Sequence, residues 1–337
     1  MPSVATLAGE ELHNAAGNWF SISRSTAFSR IKTGYASSNW VFEHKGERYV
    51  LKRFMDFKKA KDVMAEYRIS EYIAEKGFPY EIPRMMLAKD GRPFAEAGGA
   101  LYSLYSFIPG RTGLRVGERD AYDIGIMVAR LHEIIIKSRF ASKERRGFQT
   151  IERIKERMDR NAIEARSRVD GSARAFLSAY RWFAPVLGKL DLSHYEALKA
   201  YAVHCDIAPA NIIWRHGGIH GLLDFSNMSN YRDALLMDIA WSVHFCCVDM
   251  KTGSSYSKRL LDSLLEGYEA IRSLSREDME TLPRLVLVTN AFDFEFAYRL
   301  QSFTGKDQTA RIINDVKLSR WLLRNKNYFR KGHLLQG

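Results

Sequence analysis

The chain has 337 residues, of which 46% are hydrophobic and 27% charged, and its net charge is +12. This length and composition suit a globular protein with two lobes, and no run approaches the 18 uninterrupted apolar residues typical of a membrane span. The first twenty residues lack the basic start and apolar core of a secretion signal. Three cysteines without metal-ligand spacing argue against a disulfide framework or a zinc site, so we expect a cytoplasmic protein.

The positive charge is concentrated in two segments, Arg139 to Arg174 and Arg311 to the C-terminus. Such basic surfaces attract anions, including nucleotides, phosphorylated metabolites, nucleic acid and acidic membranes. The tail "SRWLLRNKNYFRKG" interleaves aromatic and basic residues, a composition also found in segments that bind nucleic acid or membranes. We favour an amphipathic helix packed on the protein, so nucleic acid is not an expected partner.

The first part of the chain predicts a small β-sheet with one helix. Residues 29–54 have the pattern of a three-strand meander with a turn at Lys45-Gly46. Residues 56–77 then repeat apolar side chains at helical spacing and end at Gly77, a typical C-terminal cap.

Two further strands are predicted at residues 81–88 and 100–108, on either side of a loop over 89–99. These elements complete a β-rich N-terminal lobe that we place at residues 1–108.

The chain from residue 109 to 337 is mainly helical by its pattern. Two short β-like segments, around 201–204 and 218–225, interrupt the helices. The expected fold is therefore α+β, with a small β-rich N-terminal lobe and a larger, mainly helical C-terminal lobe. Five segments have a 3.6-residue apolar period: 118–136, 148–168, 172–190, 232–247 and 257–271.

The stretch "HCDIAPANIIW" separates Asp206 and Asn211 by four residues, as in the kinase pattern H-x-D-x-x-x-x-N, and Asp224 follows in "GLLDF". Carboxylate and amide oxygens are the ligands that Mg²⁺ prefers. Phosphoryl transfer from ATP also needs a carboxylate that orients the attacking hydroxyl. A buried strand end followed by a polar turn is the alternative, since aspartate favours turns. We favour the magnesium and phosphate site.

Candidates for phosphate binding lie earlier in the chain. Lys52 alternates with apolar residues on a predicted strand, and Glu66 follows on the first predicted helix, where it can pair with Lys52. The small, polar loop from Thr33 to Asn39, which contains Ser37 and Ser38, can offer backbone N–H groups to phosphates.

In this order, these segments resemble the aminoglycoside phosphotransferase and choline kinase-like family, which has the protein-kinase fold and includes homoserine kinase-type members. The resemblance covers roughly residues 28–300. "HCDIAPANIIW" resembles the family's H-G-D-x-x-P-x-N stretch and "GLLDFSN" its I-D-F segment. "VARLHEI" is similar to its A-x-L-H helix, and "DALLMDIAW" to its D-P-x-x-x-D-L-A element.

The resemblance implies a role for each matching residue. Asp206 would be the catalytic base, Asn211 and Asp224 would bind Mg²⁺, and Lys52, held by Glu66, would contact the phosphates of the nucleotide.

It also implies further contacts outside the catalytic stretch. Ser106, Phe107 and Ile108 would form a bilobal hinge whose backbone meets adenine, and Asp238 would brace the catalytic loop. The late helix over residues 290–300 is expected either to offer Asp293 and Glu295 to the acceptor or to be a buried helix with solvated acids.

Three positions depart from the family pattern: Cys205 replaces a glycine, Ser226 follows "DF" where protein kinases have glycine, and Ala234 replaces a proline. None of these changes removes a ligand, so we expect retained catalysis. We interpret Cys205 as a small buried residue rather than a catalytic thiol.

The expected function is an O-phosphotransferase that uses ATP (or GTP) and Mg²⁺ and acts on a small-molecule hydroxyl. The net charge favours a neutral, zwitterionic or anionic acceptor, such as homoserine, a sugar or a natural product, over a polycationic aminoglycoside. A non-catalytic relative of the spore-coat type remains the alternative. A protein kinase is disfavoured because no A-P-E element follows "DFS".

Overall fold

The protein folds into two compact units. The computed structural model describes residues 9–31, 37–55, 58–140, 150–229 and 231–329. Unit 1 comprises Met1–Arg111, Ile213–His216 and His220–Asn230, and unit 2 comprises Thr112–Ile212, Gly217–Ile219 and Tyr231–Gly337.

Unit 1 contains a five-stranded antiparallel sheet with the strand order β1-β2-β3-β5-β4. The predicted meander is confirmed as its first three strands. The strands are β1 (Ser29–Ile31), β2 (Ser37–His44), β3 (Glu47–Phe54), β4 (Ala95–Ala97) and β5 (Ala100–Ser106).

Two-residue turns connect β2 to β3 and β4 to β5. Lys45 and Gly46 have φ values of 53° and 82°, and Gly98 and Gly99 have φ values of 55° and 76°. Positive φ at both central residues gives a turn whose twist matches that of the flanking strands. The predicted turn at Lys45-Gly46 is thus confirmed.

The prediction of a strand at residues 81–88 is wrong. This segment makes only isolated bridges, at Glu81 and Met85. Pro83 interrupts it, because proline has no N–H to donate to a strand ladder. β4 lies instead within the predicted loop, where the Gly98-Gly99 turn folds it back onto β5.

The sheet of unit 1 buries apolar side chains on both faces, because successive residues of a strand point to opposite sides. One face packs with α1 (Gly9–Ala16), an eight-residue helix too short to stand out by periodicity in the sequence. The other face packs with α2 (Ala60–Glu75), the predicted helix, which Gly77 follows at φ 74°.

Unit 2 is mainly helical, and its helices include the five predicted segments with ends displaced by a few residues. The predicted strand at 201–204 is reduced to one bridge, between Tyr201 and Asp233, because Cys205 at φ 52° ends the extended chain. The helices are α3 (Glu118–Ile136), α4 (Ile151–Arg166), α5 (Gly171–Gly188), α6 (Ser193–Ala197), α7 (Leu236–Cys246), α8 (Lys258–Glu269), α9 (Arg276–Thr304) and α10 (Thr309–Arg324).

Two more strands, β6 (Ile212–Arg215) and β7 (Gly218–Leu222), form a two-stranded sheet. The end of β7 belongs to unit 1, in which the N–H of Leu222 donates to the Glu81 carbonyl at 2.9 Å. A Cβ atom at Gly221 would lie 2.7 Å from the same carbonyl, so the close approach requires glycine.

The described part of the basic, aromatic tail, up to Phe329, packs within unit 2 as favoured from the sequence. Leu318 and Leu322 of α10 are buried, while Arg320 and Arg324 are exposed. The Trp321 ring meets the rings of Tyr256 and Tyr328 edge-on, at centroid distances of 5.8 and 4.7 Å.

Across the ranges that the structure describes, none of the helices combines the length and apolar composition of a membrane-spanning segment.

Helices α3 and α8 approach each other closely at two glycines. A Cβ atom at Gly125 would overlap the backbone of Leu264 and Tyr268, and one at Gly267 would overlap the backbone of Tyr122. The contact atoms are helix backbone, which cannot move aside as a flexible side chain would.

We expect Gly125→Ala to lower the free energy of unfolding by about 3 kcal/mol, since overpacking of a tight interface forces backbone shifts. Gly188→Ala is the matched control, because a Cβ atom there has no neighbour within 4 Å. The control should be neutral or stabilise by up to about 1 kcal/mol. Urea denaturation of both variants checks this, and equal midpoints would contradict the close crossing.

Candidate active site

In unit 2, Asp206 and Asn211 contact each other directly. Asn211 ends a 3₁₀ turn (Pro209–Asn211), and its Nδ2 donates to the Asp206 backbone carbonyl at 2.9 Å and to Asp206 Oδ2 at 2.7 Å. A carboxamide that donates through its nitrogen has its oxygen as the atom that can bind a cation. The four-residue spacing thus produces a carboxylate and an amide oxygen side by side.

Asp238 of α7 fixes the chain just before Asp206. Its buried carboxylate accepts the backbone N–H of His204 at 3.1 Å and that of Cys205 at 2.6 Å. His132 Nε2 lies 3.2 Å from the same carboxylate, and His132 Nδ1 lies 2.9 Å from the hydroxyl of Tyr268. The predicted contact of Asp238 with this loop is present, while the catalytic role of the loop stays a prediction.

The conformation of Cys205 accounts for the glycine expected at this position. Its φ of 52° lies in the left-handed region, which costs a residue with a side chain about 1–2 kcal/mol. The thiol is buried, and burial followed by the charge of Asp238 raises the pKa of Cys205 well above its ordinary value. A thiol that stays protonated is a poor nucleophile, which supports the interpretation of a small buried residue.

We expect Asp238→Ala to lower the free energy of unfolding by about 3 kcal/mol, because it leaves two buried backbone N–H groups without an acceptor. Turnover should fall with stability, since the loop carrying Asp206 is no longer held. Glu118→Ala, which removes an exposed carboxylate on α3, is the control and should leave the melting temperature unchanged. Wild-type stability in Asp238→Ala would contradict the role of the brace.

All three cysteines, Cys205, Cys246 and Cys247, are free and buried. Burial is the largest cause of the raised pKa of each thiol, and for Cys246 the pKa rises to about 12. We expect a thiol-reactive chromophore to label none of them in the native protein at neutral pH and all three in denaturant. Rapid labelling of a single thiol in the native state would show that one is reactive.

In unit 1, Lys52 lies between two carboxylates. Its Nζ is 3.6 Å from Glu66 Oε1 and 3.4 Å from Asp224 Oδ1, so the predicted pair with Glu66 is present. Burial lowers the pKa of Lys52, but the charges of Asp224 and Glu66 outweigh it and the net shift is upward. Lys52 is therefore charged at neutral pH, as a contact for phosphates must be.

Asp224 follows β7 in the left-handed conformation, with φ 60°. Aspartate tolerates this conformation better than most residues. The carboxylate remains 35% exposed, and its Oδ1 accepts the N–H of Ser226 at 3.4 Å as well as facing Lys52. The arrangement combines a half-buried carboxylate with an adjacent ammonium group, which suits the binding of a cation and phosphates together.

Lys58, just before α2, is a second largely buried cation that the sequence did not reveal, with its side chain 10% exposed. Its Nζ lies 3.8 Å from Glu66 Oε2 and donates to the Ser226 carbonyl at 3.3 Å and to Ser229 Oγ at 3.4 Å. Burial is the main cause of its lowered pKa, and the charge of Glu66 opposes it. Its position in "DFKKAKD", one basic residue among three, carried no signal that could distinguish it.

Ser37 and Ser38 begin β2 and pair with Phe54 and Arg53 of β3. The remainder of the predicted phosphate loop, Thr33 to Ala36, lies outside the described residues.

In the segment expected to meet adenine, two backbone N–H groups are already bonded. Ser106 N donates to the Arg84 carbonyl at 3.1 Å, and Phe107 N donates to the Arg48 carbonyl at 3.2 Å. Ile108, which is buried, follows them.

Asp293 and Glu295 of α9 are buried and paired rather than solvated. Asp293 accepts from Arg311 through both oxygens, and His244 Nε2 lies 3.6 Å away. Burial raises the pKa of Asp293, but the combined effect of His244 and Arg311 is larger and opposite, so the pKa lies below its ordinary value. Nearby Asp315 has a strongly raised pKa because of burial and the charge of Asp293. The predicted contact of Asp293 and Glu295 with an acceptor stays a prediction.

The chain belongs to a known family of phosphotransferases. The family described as "Phosphotransferase enzyme family" matches residues 27–278, well over half of the chain. The expected family is thereby confirmed.

Individual relatives support the same fold. The chain is 24% identical over 271 residues to a homoserine kinase of Xanthobacter autotrophicus, covering 79% of this chain and 78% of the relative. The amicoumacin kinase hAmiN, solved with AMP-PNP, Ca²⁺ and Ami, superposes with a TM-score of 0.66 at 14% identity, covering 95% and 94% of the two chains. A microcompartment-associated aminopropanol kinase gives a TM-score of 0.62 at 13% identity, covering 92% and 96%. The α+β, protein-kinase-like fold is confirmed.

Proposed function

We propose that the protein transfers the γ-phosphoryl group of ATP, in the presence of Mg²⁺, to a hydroxyl of a small molecule. In this reaction the acceptor oxygen forms a bond to phosphorus and the bond between phosphorus and the leaving oxygen of ADP breaks. The hydroxyl proton goes to a carboxylate, and the products are a phosphate monoester and ADP. The observation that carries the proposal is the direct Asp206–Asn211 contact within a family motif whose loop Asp238 holds in place.

We assign Asp206 as the carboxylate that orients the acceptor hydroxyl and takes its proton. Asn211 and Asp224 are assigned as ligands of the divalent ion. Lys52 is assigned to the nucleotide phosphates, with Glu66 as the residue that keeps it charged and positioned.

The nucleotide contacts are proposed along the sheet of unit 1. Ser37 and Ser38 are assigned to the phosphates because they begin the strand that pairs with the Lys52 strand. At the other end, the bonds already made by the N–H groups of Ser106 and Phe107 leave Ile108 as the favoured backbone contact for adenine.

The site suits a divalent ion because its oxygen donors, carboxylate and carboxamide, are the hard ligands that Mg²⁺ prefers. The family is one of kinases, and its solved relative hAmiN contains AMP-PNP and Ca²⁺. When bound, the ion would neutralise charge on the nucleotide phosphates. The choice of Mg²⁺ and of ATP over GTP is part of the proposal.

The acceptor is proposed to be a small amino alcohol such as homoserine. Support comes from the homoserine kinases that match more than three-quarters of this chain and from the fold shared with an aminopropanol kinase. A net charge of +12 also disfavours attraction of a polycation such as an aminoglycoside.

A protein acceptor is disfavoured by the short segment between Asp224 and α7. This segment contains one 3₁₀ turn (Asn227–Ser229) before α7 begins at Leu236. A protein kinase needs a longer activation segment here, which shapes its peptide-binding surface.

We expect Asp206→Asn to lower kcat with a small amino alcohol by about 10²–10⁴-fold while the affinity for nucleotide changes little, because the amide cannot accept the proton. Coupled detection of ADP and titration calorimetry with an ATP analogue measure the two quantities, and Glu118→Gln is the control. Unchanged turnover in Asp206→Asn would refute the assignment. Nucleotide binding without ADP formation in the wild type would instead support the non-catalytic alternative.

A further inference from the structure

Three buried side chains from three helices of unit 2 lie close together: His244 of α7, Asp293 of α9 and Asp315 of α10. They are 5%, 5% and 3% exposed. A ring nitrogen of His244 and one carboxylate oxygen from each aspartate all lie within 4.8 Å of one another. Imidazole nitrogen and carboxylate oxygen are both ligands of Zn²⁺ and related ions. The three residues are far apart in the sequence, so no local spacing indicates this group.

The hydrogen bonds of His244 determine which of its ring nitrogens can bind an ion. Nδ1 lies 2.7 Å from Asn290 Oδ1, an oxygen that can only accept, so Nδ1 carries the proton and is the donor. The Tyr256 hydroxyl donates to the same oxygen at 2.8 Å, and Asn290 Nδ2 donates to Ser319 Oγ at 2.9 Å, which fixes the orientation of the amide. Nε2 is therefore the nitrogen left for a ligand, as in metal sites where a hydrogen bond at the other nitrogen orients the ring.

The gap between His244 and Asp293 has the size of a metal site. Nε2 lies 3.6 Å from Asp293 Oδ2, which is too far for a hydrogen bond. Two ligands in tetrahedral geometry at the usual Zn²⁺ distances lie about 3.4 Å apart. Arg311 donates to Asp293 through both Nε and Nη2, but a carboxylate has roughly four lone-pair positions, so positions remain for an ion.

Asp315 gives an independent indication of a ligand. The residue is almost fully buried, and within the ranges that the structure describes its Oδ2 has no hydrogen-bond partner. A buried carboxylate is costly unless it is paired, protonated or bound to a metal. A single divalent ion would satisfy both Asp315 and Nε2 of His244, whereas protons would have to occupy the two groups separately. The ion is therefore the simpler occupant of this group.

We propose that His244, Asp293 and Asp315 form a structural site for a divalent transition-metal ion, of which Zn²⁺ is the best match. Zn²⁺ accepts a mixed set of nitrogen and oxygen ligands in tetrahedral geometry, with a fourth position for water. Binding forms one bond from each ligand to the ion, and any proton on Asp315 is released to solvent. The ion would tie α10 to α7 and α9. The inference is independent of the proposed function, because that reaction uses an ion at Asn211 and Asp224.

Metal content tests the site directly. Protein stripped with a chelator is dialysed against Zn²⁺ in excess Mg²⁺, which competes for the hard oxygen ligands Asn211 and Asp224. Atomic emission should find one Zn²⁺ retained per wild-type chain. Asp315→Asn and His244→Gln should each lower the affinity for Zn²⁺ at least about 100-fold, since each removes a ligand and loss of an outer partner alone costs about 10–100-fold. His216→Gln, which removes an exposed histidine, is the matched control and should retain the ion.

Absence of retained Zn²⁺ in the wild type would overturn the proposal. Equal retention by the wild type and Asp315→Asn would also overturn it, because the ion would then be bound elsewhere.

Thermal stability gives a second readout. In the wild type, Zn²⁺ at about 100 times its dissociation constant should raise the melting temperature by about 3 °C, and a chelator should reverse the rise. Asp315→Asn should show no rise. We expect this variant to fold, because its amide can donate to Asp293 as a protonated carboxyl group would; His244→Gln gives the same comparison. A wild type indifferent to Zn²⁺, beside a more stable Asp315→Asn, would show a shared proton instead of an ion and refute the site.

ADP formation separates this proposal from the proposed function. Retained Zn²⁺ in a chain that forms no ADP would refute the phosphotransferase and leave the metal site standing. Turnover with Mg²⁺ by a chain that takes up no Zn²⁺ would refute the metal site alone.

Discussion

Charge-assisted hydrogen bonds from backbone N–H groups to the Asp238 carboxylate are the interaction on which the loop that leads to Asp206 depends. A buried carboxylate is costly unless donors surround it, and here the chain itself supplies two of them. The same bonds hold Cys205 in its left-handed conformation, which turns the chain toward Asp206. Loop geometry and helix α7 are therefore coupled, and the strain at Cys205 is offset by the bonds that impose it.

In unit 1, side chains rather than backbone N–H groups compensate the buried carboxylate of Glu66. Glu66 is buried, and it is compensated by two lysines and by the Tyr105 hydroxyl, which donates to Oε1 at 3.1 Å. Lys58 also bonds to the carbonyl of Ser226, two residues beyond Asp224. The chain around the candidate metal ligand is thus attached to the helix that positions Lys52.

The two acids of α9, Asp293 and Glu295, form ion pairs with arginines, so their negative charges are compensated within the protein. The sequence left open whether Asp293 and Glu295 contact the acceptor or are solvated acids on a buried helix. In the structure both acids are buried and paired with Arg157, Arg299 and Arg311. Arginines therefore outnumber these two acids, in the same sense as the net charge of the whole chain.

The sequence by itself determined the elements with strong local signals. Helical periodicity located five of the helices described in unit 2, strand alternation predicted the meander, and spacing identified Asp206 and Asn211 as candidates. It failed at residues 81–88, where apolar composition outweighed the effect of Pro83. Only the tertiary structure decided the partners of Lys58 and Glu295. Arg157 and Glu295 are 138 positions apart, and no local pattern encodes which distant side chain will neutralise a buried charge.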